Sequence, residues 1–237
     1  LGQRIQNFLS EVKSSCKRPM LEEGITALRA LPESMRIHLH EEMYMPLLLS
    51  HPAFSCFVPL DPSVFIRLCH EAMAVRHFLP MQDVFVNGSQ STSALIVVSG
   101  RLTYRTSARR ARQLVESGAW ACEAALWMSW VYAGQLTAST QCELAEANGE
   151  GLRTVITTAA PNVMDLVRKY VTLLVFEAEN MAEDGPPVSD LWPSNEIAEE
   201  LLRKANHLHG LASGTRQRKS AEQRQRGMLM RLMDPRG

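Results

Sequence analysis

Three short runs decide the fold: Val97-Val98-Ser99-Gly100-Arg101-Leu102, Gly118-Ala119-Trp120-Ala121-Cys122-Glu123-Ala124-Ala125-Leu126 and Cys142-Glu143-Leu144. Around them, residues 75–147 consist of brief apolar stretches bounded by turn residues. Asp83–Asn87, Ala94–Ser99, Leu102–Arg105, Leu114–Val115 and Leu136–Thr140 read as strands, with Gly88, Gly100 and Gly118 at the turns between them. Many short strands at such spacing indicate a small β-barrel or jelly roll. Glu123–Trp130 interrupts the pattern and predicts a short inserted helix.

Both flanks change period. Residues 1–74 read as helices. Ile5, Phe8, Leu9 and Val12 recur at helical spacing, as do Leu21, Ile25, Leu28 and Leu31, with a turn at Cys16–Met20. Pro32 fits the first turn of a further helix carrying Met35, Leu39, Met43 and Leu47, which Pro46 and Pro52 are expected to break near its end. After the β region, Leu152, Val155 and Ile156 precede a long stripe from Val163 to Ala178, for which Asn162 is the expected N-cap. A break follows at Asp184–Pro187, then an amphipathic helix (Ile197, Leu201, Leu202, Leu208) and a polar tail. From Arg203 onward nine Lys and Arg stand against two acids, on a chain whose overall formal charge is zero.

The ordered set of motifs resembles the cyclic-nucleotide-binding domain family. Val97–Leu102 looks like its strand–Ser–Gly–x–Leu signature, Gly118–Leu126 like its phosphate-binding cassette, and Cys142–Glu143–Leu144 like the C-E-L that follows. The run Leu31–Pro32–Glu33–Ser34–Met35–Arg36, Leu47–Leu48, Pro52–Ala53–Phe54 is similar to the C-linker of voltage-gated-type potassium and mixed-cation channels. The resemblance implies an α+β fold: a helical C-linker, then a β-roll (double-stranded β-helix or jelly roll) with a short inserted helix, then a long closing helix. The expected division is a C-linker-like segment over 1–54, the nucleotide-binding-like domain over 55–182, and a helix plus basic tail over 183–237. The implied role is a non-catalytic gating and assembly module on the cytoplasmic face of a membrane. It would form a homo-tetramer through the linker beneath an upstream transmembrane pore; the basic tail reads as a disordered, solvated end, with acidic lipid as the alternative partner. The alternative is a soluble nucleotide sensor of the kinase-regulatory or transcription-activator kind.

The resemblance also places a ligand site: Gly118, Cys122, Glu123, Ala124, Ala125, Leu126, Tyr132 and Ala133. In the family a cassette Glu, here Glu123, accepts from the ribose 2′-hydroxyl. A helix N-terminus faces the anion, and an Arg nine residues after that Glu pairs with the cyclic phosphate. Here that position is Tyr132, the following Thr is Ala133, and the cassette Gly is Cys122. Residues 113–152 contain no Lys or Arg and five Glu. A phosphate would meet only dipoles and a phenol. Losing one partner of a buried charge pair costs about 2–5 kcal/mol. The expectation is therefore no bound cofactor: cAMP and cGMP would not bind at cellular concentrations, and Trp120, Trp127 and Trp130 would fill the purine's space. A weak or uncharged ligand is the competing reading.

Other chemistries find less support. The five cysteines show no CxxC pair, which excludes a disulfide framework and a zinc knuckle and leaves them as small buried hydrophobes. His38-x-His40 and the His-Glu pairs 40–41 and 70–71 lack a completed metal motif, so no metal ligand is assigned. These histidines are expected to be solvated or capping, and His51 packed or hydrogen-bonded. No nucleophile elbow, P-loop or dinucleotide fingerprint occurs, so no enzyme is indicated, and balanced charge gives no pull toward nucleic acid. No run of about 18 apolar residues suits a membrane span. The chain starts at Leu1 and is expected to derive from a longer one.

Overall fold

A computed structural model describes residues 31–106, 112–184 and 188–210. The helices read before residue 31 and the basic tail beyond residue 210 lie outside the described residues.

Four helical pieces lead into the β region: α1 (Glu33–Leu49), α2 (Pro52–Phe57), a 3-10 turn (Val58–Leu60) and α3 (Pro62–Glu71). Pro32, with extended ψ, precedes α1 as its cap residue. Helix α1 ends at Leu49, between Pro46 in its last turn and Pro52 at the start of α2, as expected for a break near its end. Prolines at the first positions of α2 and α3 meet the usual preference for a residue with preset φ and no N–H.

Among the described residues, ten antiparallel strands follow. One sheet has the order β1 (Met73–Phe78), β10 (Cys142–Asn148), β4 (Ser93–Ser99), β7 (Trp120–Ala121). The second has β2 (Asp83–Phe85), β9 (Gly134–Ala138), β5 (Arg101–Thr106), β6 (Gln113–Glu116), and β3 (Gln90–Ser91) pairs with β8 (Trp130–Val131). Ile96, Leu144, Leu102 and Leu136 are fully buried, two from each four-stranded sheet, and belong to one apolar core. The expected mixed fold of helices and antiparallel sheets is therefore present. The turn between β4 and β5 explains Gly100. Its φ is +92°, and a Cβ there would lie 2.4 Å from the Gln141 carbonyl oxygen and 2.6 Å from Cys142 Sγ.

After β10 come α4 (Gly149–Ile156), capped by the Asn148 side chain, and the 24-residue α5 (Pro161–Asp184). Helix α5 begins at Pro161, so Asn162 is inside its first turn and not its N-cap. Val163, Leu166, Tyr170 and Leu174 on α5 are buried. Residues 195–210 form α6, which returns to α5 through a bond between His209 Nδ1 and Asp165 Oδ2 of 2.7 Å.

The histidines divide. His38 is exposed and sits 3.5 Å from Glu41. His40 is buried, with its Nδ1 3.1 Å from Nδ1 of the part-buried His70, joining α1 to α3. The solvated reading is therefore corrected for His40: α1 packs its stripe on α3, and that stripe includes the imidazole. No single described helix is long and apolar enough to cross a membrane.

Candidate functional site: two buried carboxylates

The cassette region is built differently from its motif. The expected helix over Glu123–Trp130 is a single 3-10 turn, Glu123–Leu126, and Trp130 already belongs to β8. Four residues give no appreciable macrodipole, so the helix N-terminus expected to face an anion is not the device here. Cys122 opens the turn in the left-handed region, φ +60°, where the family pattern carries glycine. Its thiol is buried, and burial pushes its pKa up, with the Asp190 charge adding to the effect. Ala124, Ala125 and Leu126 are buried core residues, and Gly118 (φ +87°) is a turn residue whose amide donates to Val97.

Glu123 is 2 % exposed and both its carboxylate oxygens are engaged. Oε2 lies 2.8 Å from His51 Nε2, and Oε1 accepts from the Tyr170 hydroxyl at 2.9 Å. The sequence dictates the His51 geometry. As the residue before Pro52 it is held extended (φ −92°, ψ 132°), which makes it the cap residue of α2. Its Nδ1 accepts from the Ala53 amide at 3.2 Å. With Nδ1 accepting, the ring proton is on Nε2 and donates to Glu123. Tyr170 comes from the middle of α5, and burial, then the Glu123 charge, push its phenol well above the usual range. One carboxylate thus ties together α2, the 3-10 turn at Glu123–Leu126 and α5.

The second carboxylate was not foreseen. Asp190, in the segment between α5 and α6, is completely buried and accepts four hydrogen bonds. Its Oδ1 takes Trp130 Nε1 at 2.7 Å and the Ala133 amide at 3.1 Å; its Oδ2 takes the Gly134 amide and the Tyr104 hydroxyl, each at 2.8 Å. The Asp190 amide donates back to the Tyr104 oxygen at 3.0 Å, and its carbonyl accepts from the Cys122 amide at 2.6 Å. Among the described residues no Lys or Arg contributes to this cradle. Gly134 is required for the fit: a Cβ there would lie 2.6 Å from the Tyr104 ring and 2.5 Å from the Arg105 carbonyl oxygen.

The expected residues therefore separate. Ala133 contributes its amide to the Asp190 cradle and Cys122 its amide to the Asp190 carbonyl, while Glu123 belongs to the other cluster. Tyr132 gives no side-chain bond to Asp190; its ring stacks flat on Phe85, centroids 4.0 Å apart and 6° between planes. The phenol at the anion is Tyr104, from β5. The expectation that three tryptophans fill the pocket is corrected. Trp120 and Trp127 stack on Phe54 of α2, which also packs edge-on against Phe57 and Phe65. Only Trp130 reaches the cradle, as a donor, and the group that fills it is Asp190. Nothing in the sequence around Asp190 forms a motif. The only hint was the acid-rich, base-free stretch 113–152, which leaves donors but no cation.

Burial raises the Tyr104 phenol to about 12; the Asp190 amide and the Ser189 side chain partly oppose the shift, and the Asp190 carboxylate adds to it. A raised folded value favours the protonated form in the native state. Its stabilisation is complete below the unfolded value near 10 and is lost as pH rises from about 10 toward 12. Denaturant melts across that range will show native stability falling toward that of Tyr104→Phe; a constant gap between them would contradict the assignment.

No protein-family model matches the chain, and no curated protein matches it. Among solved structures it is similar to a cyclic nucleotide-binding-like protein from Brucella abortus bv. 1 str. 9-941, at 20% identity and a TM-score of 0.38, over 43% of this chain and 90% of that one.

Proposed function

We propose that this chain is a regulatory module with a cyclic-nucleotide-binding-like fold whose anion cradle holds the chain's own Asp190 in place of a cyclic phosphate. The observation that carries the reading is the pair of amides at Ala133 and Gly134 donating to that carboxylate. Family resemblance puts the phosphate at the loop position of Tyr132 and Ala133. A cyclic nucleotide would have to expel a carboxylate held by four donors and then dock its own charge without a cation. The ribose carboxylate, Glu123, is unavailable for the same kind of reason, being saturated by His51 and Tyr170.

The module's setting in this reading is the cytoplasmic face of a voltage-gated-type cation channel, below the pore and assembled as a tetramer through the linker. The Leu31–Phe54 run supports this, together with the way its last residues grip the cassette: His51 bonds Glu123, and Phe54 stacks on Trp120 and Trp127. Motion of α5 would reach the linker through that contact, giving a mechanical, non-catalytic role.

Titration of the chain with a fluorescent cAMP or cGMP analogue tests the ligand claim. No saturable binding is expected below about 30 µM, the lower end of the range left after losing about 2–5 kcal/mol from a micromolar site. Saturation below about 10 µM would overturn it and favour the soluble-sensor alternative.

A further inference from the structure

An open groove of about 480 Å³ runs between the end of the cassette turn and helices α4 and α5. That volume is within the range of small-molecule sites. Its floor is aliphatic: Ile156 and Val167 are buried, with Met164 and Val171 beside them. The Trp127 indole forms one wall. The ring is fixed by Phe54, stacked at 6.2 Å, and by Tyr170, edge-on at 6.4 Å, and its buried Nε1–H has no partner among the described residues.

The charged lining is of one sign. Arg153 and Arg168 border the groove, and among the described residues no Asp or Glu does. Arg153 spends one N–H on the Leu126 carbonyl at 2.9 Å, which anchors its guanidinium and leaves further donors. Arg168 has no ion pair among the described residues. The acid one turn earlier on α5, Asp165, is taken by Lys169 and by His209 of α6. The two lining threonines, Thr157 and Thr172, bond backbone carbonyls of their own helices.

We infer that this groove binds an amphipathic anion: an alkyl carboxylate of medium chain length, its tail on the aliphatic floor and its head between Arg153 and Arg168. The two parts of the site match the two parts of such a ligand. Planar guanidinium groups suit a carboxylate in a bidentate geometry. From Met164 to Thr172 the helix rises about 12 Å, close to the length of an extended ten-carbon chain. A neutral lipid would leave the arginines unanswered, and a small anion would leave the floor wet. The site shares no residue with the Asp190 cradle, so it stands or falls separately from the proposed absence of cyclic-nucleotide binding.

Calorimetric titration of the chain with decanoate, decanol and acetate, all below micellar concentrations, tests the inference. Decanoate is expected to bind saturably at one site per chain, decanol at least tenfold more weakly, and acetate without saturation. Arg168→Glu is expected to weaken decanoate at least tenfold and Arg168→Lys by much less, with circular-dichroism melts confirming that both variants are folded. Equal binding of decanol and decanoate, unchanged affinity in Arg168→Glu, or no saturation by decanoate would each overturn it. So would a concentration-dependent dimer that Arg168→Glu dissolves and decanoate does not, because a second copy would then own the groove.

Discussion

Replacing Asp190 with alanine will destabilise the domain by about 3–5 kcal/mol and at the same time expose an anion site. The destabilisation follows from what remains. Trp130 Nε1, the Tyr104 hydroxyl and the amides of Ala133 and Gly134 all lose their acceptor while staying buried. Each orphaned donor costs about 1–3 kcal/mol; water entering the vacated space recovers part of this, which brings the sum down to the stated range. Urea melts will show it directly. Asp190→Asn keeps the shape but turns an NH2 toward the two donors that the replaced oxygen accepted, so it is expected to be intermediate. The second effect separates a cradle from a mere buried contact. Added phosphate or sulfate at millimolar concentration is expected to raise the stability of Asp190→Ala by the linkage RT ln(1 + [L]/Kd) and to leave the native chain unmoved. An alanine variant as stable as the native chain would remove the basis for the self-occupied cradle. One that is destabilised but indifferent to anions would leave a structural aspartate and no anion site.

The contrast between Glu123 and Asp190 shows what sequence reading could reach. The β-roll was legible because its turns demand particular residues: Gly100 has no room for a Cβ, and Gly88 and Gly118 hold positive φ. Those positions are local, and local chemistry is visible in a string of letters. Strand β10, Cys-Glu-Leu-Ala-Glu-Ala-Asn, was less visible, because Ala, Glu and Leu favour helices. Its strand state is imposed by pairing with β1 and β4 on both sides. The missing cation at position 132 was equally plain, since an absent Arg can be counted. What replaced it could not be read, because Asp190 lies 57 residues from its Ala133 partner and 86 from Tyr104. The tryptophans misled for a related reason. Composition placed three indoles near the cassette, but their choice between the cradle and Phe54 depends on where α2 packs, which no periodicity records.

The second large effect is expected at Glu123. Glu123→Ala leaves the Tyr170 hydroxyl and His51 Nε2–H without an acceptor in the core, and a loss of about 3–5 kcal/mol is expected. Glu123→Gln is the more informative change. Its remaining oxygen can accept from only one of the two partners, and its NH2 must then face the other. If the oxygen keeps Tyr170, the NH2 faces His51 Nε2, which can accept only if the ring proton moves to Nδ1. That proton then opposes the Ala53 amide, and the cap of α2, worth about 1 kcal/mol, is lost. If the oxygen keeps His51, the NH2 can take the phenol as acceptor, but Tyr170 loses its own acceptor. Either way one of the two helices is loosened from the cassette, so the amide is expected to cost about 1–3 kcal/mol. Nitrogen-15 chemical shifts of the His51 ring, which distinguish the two tautomers, will show which. A double-mutant cycle between His51→Ala and Tyr170→Phe then measures whether the linker and the closing helix communicate. The two side chains need not touch to couple; they bond opposite oxygens of one carboxylate. Coupling of about 0.5 kcal/mol or more, vanishing in the Glu123→Ala background, is the expected outcome. Strictly additive losses would mean that the carboxylate holds two neighbours without linking them, and a mechanical route from α5 to the linker would have to run elsewhere.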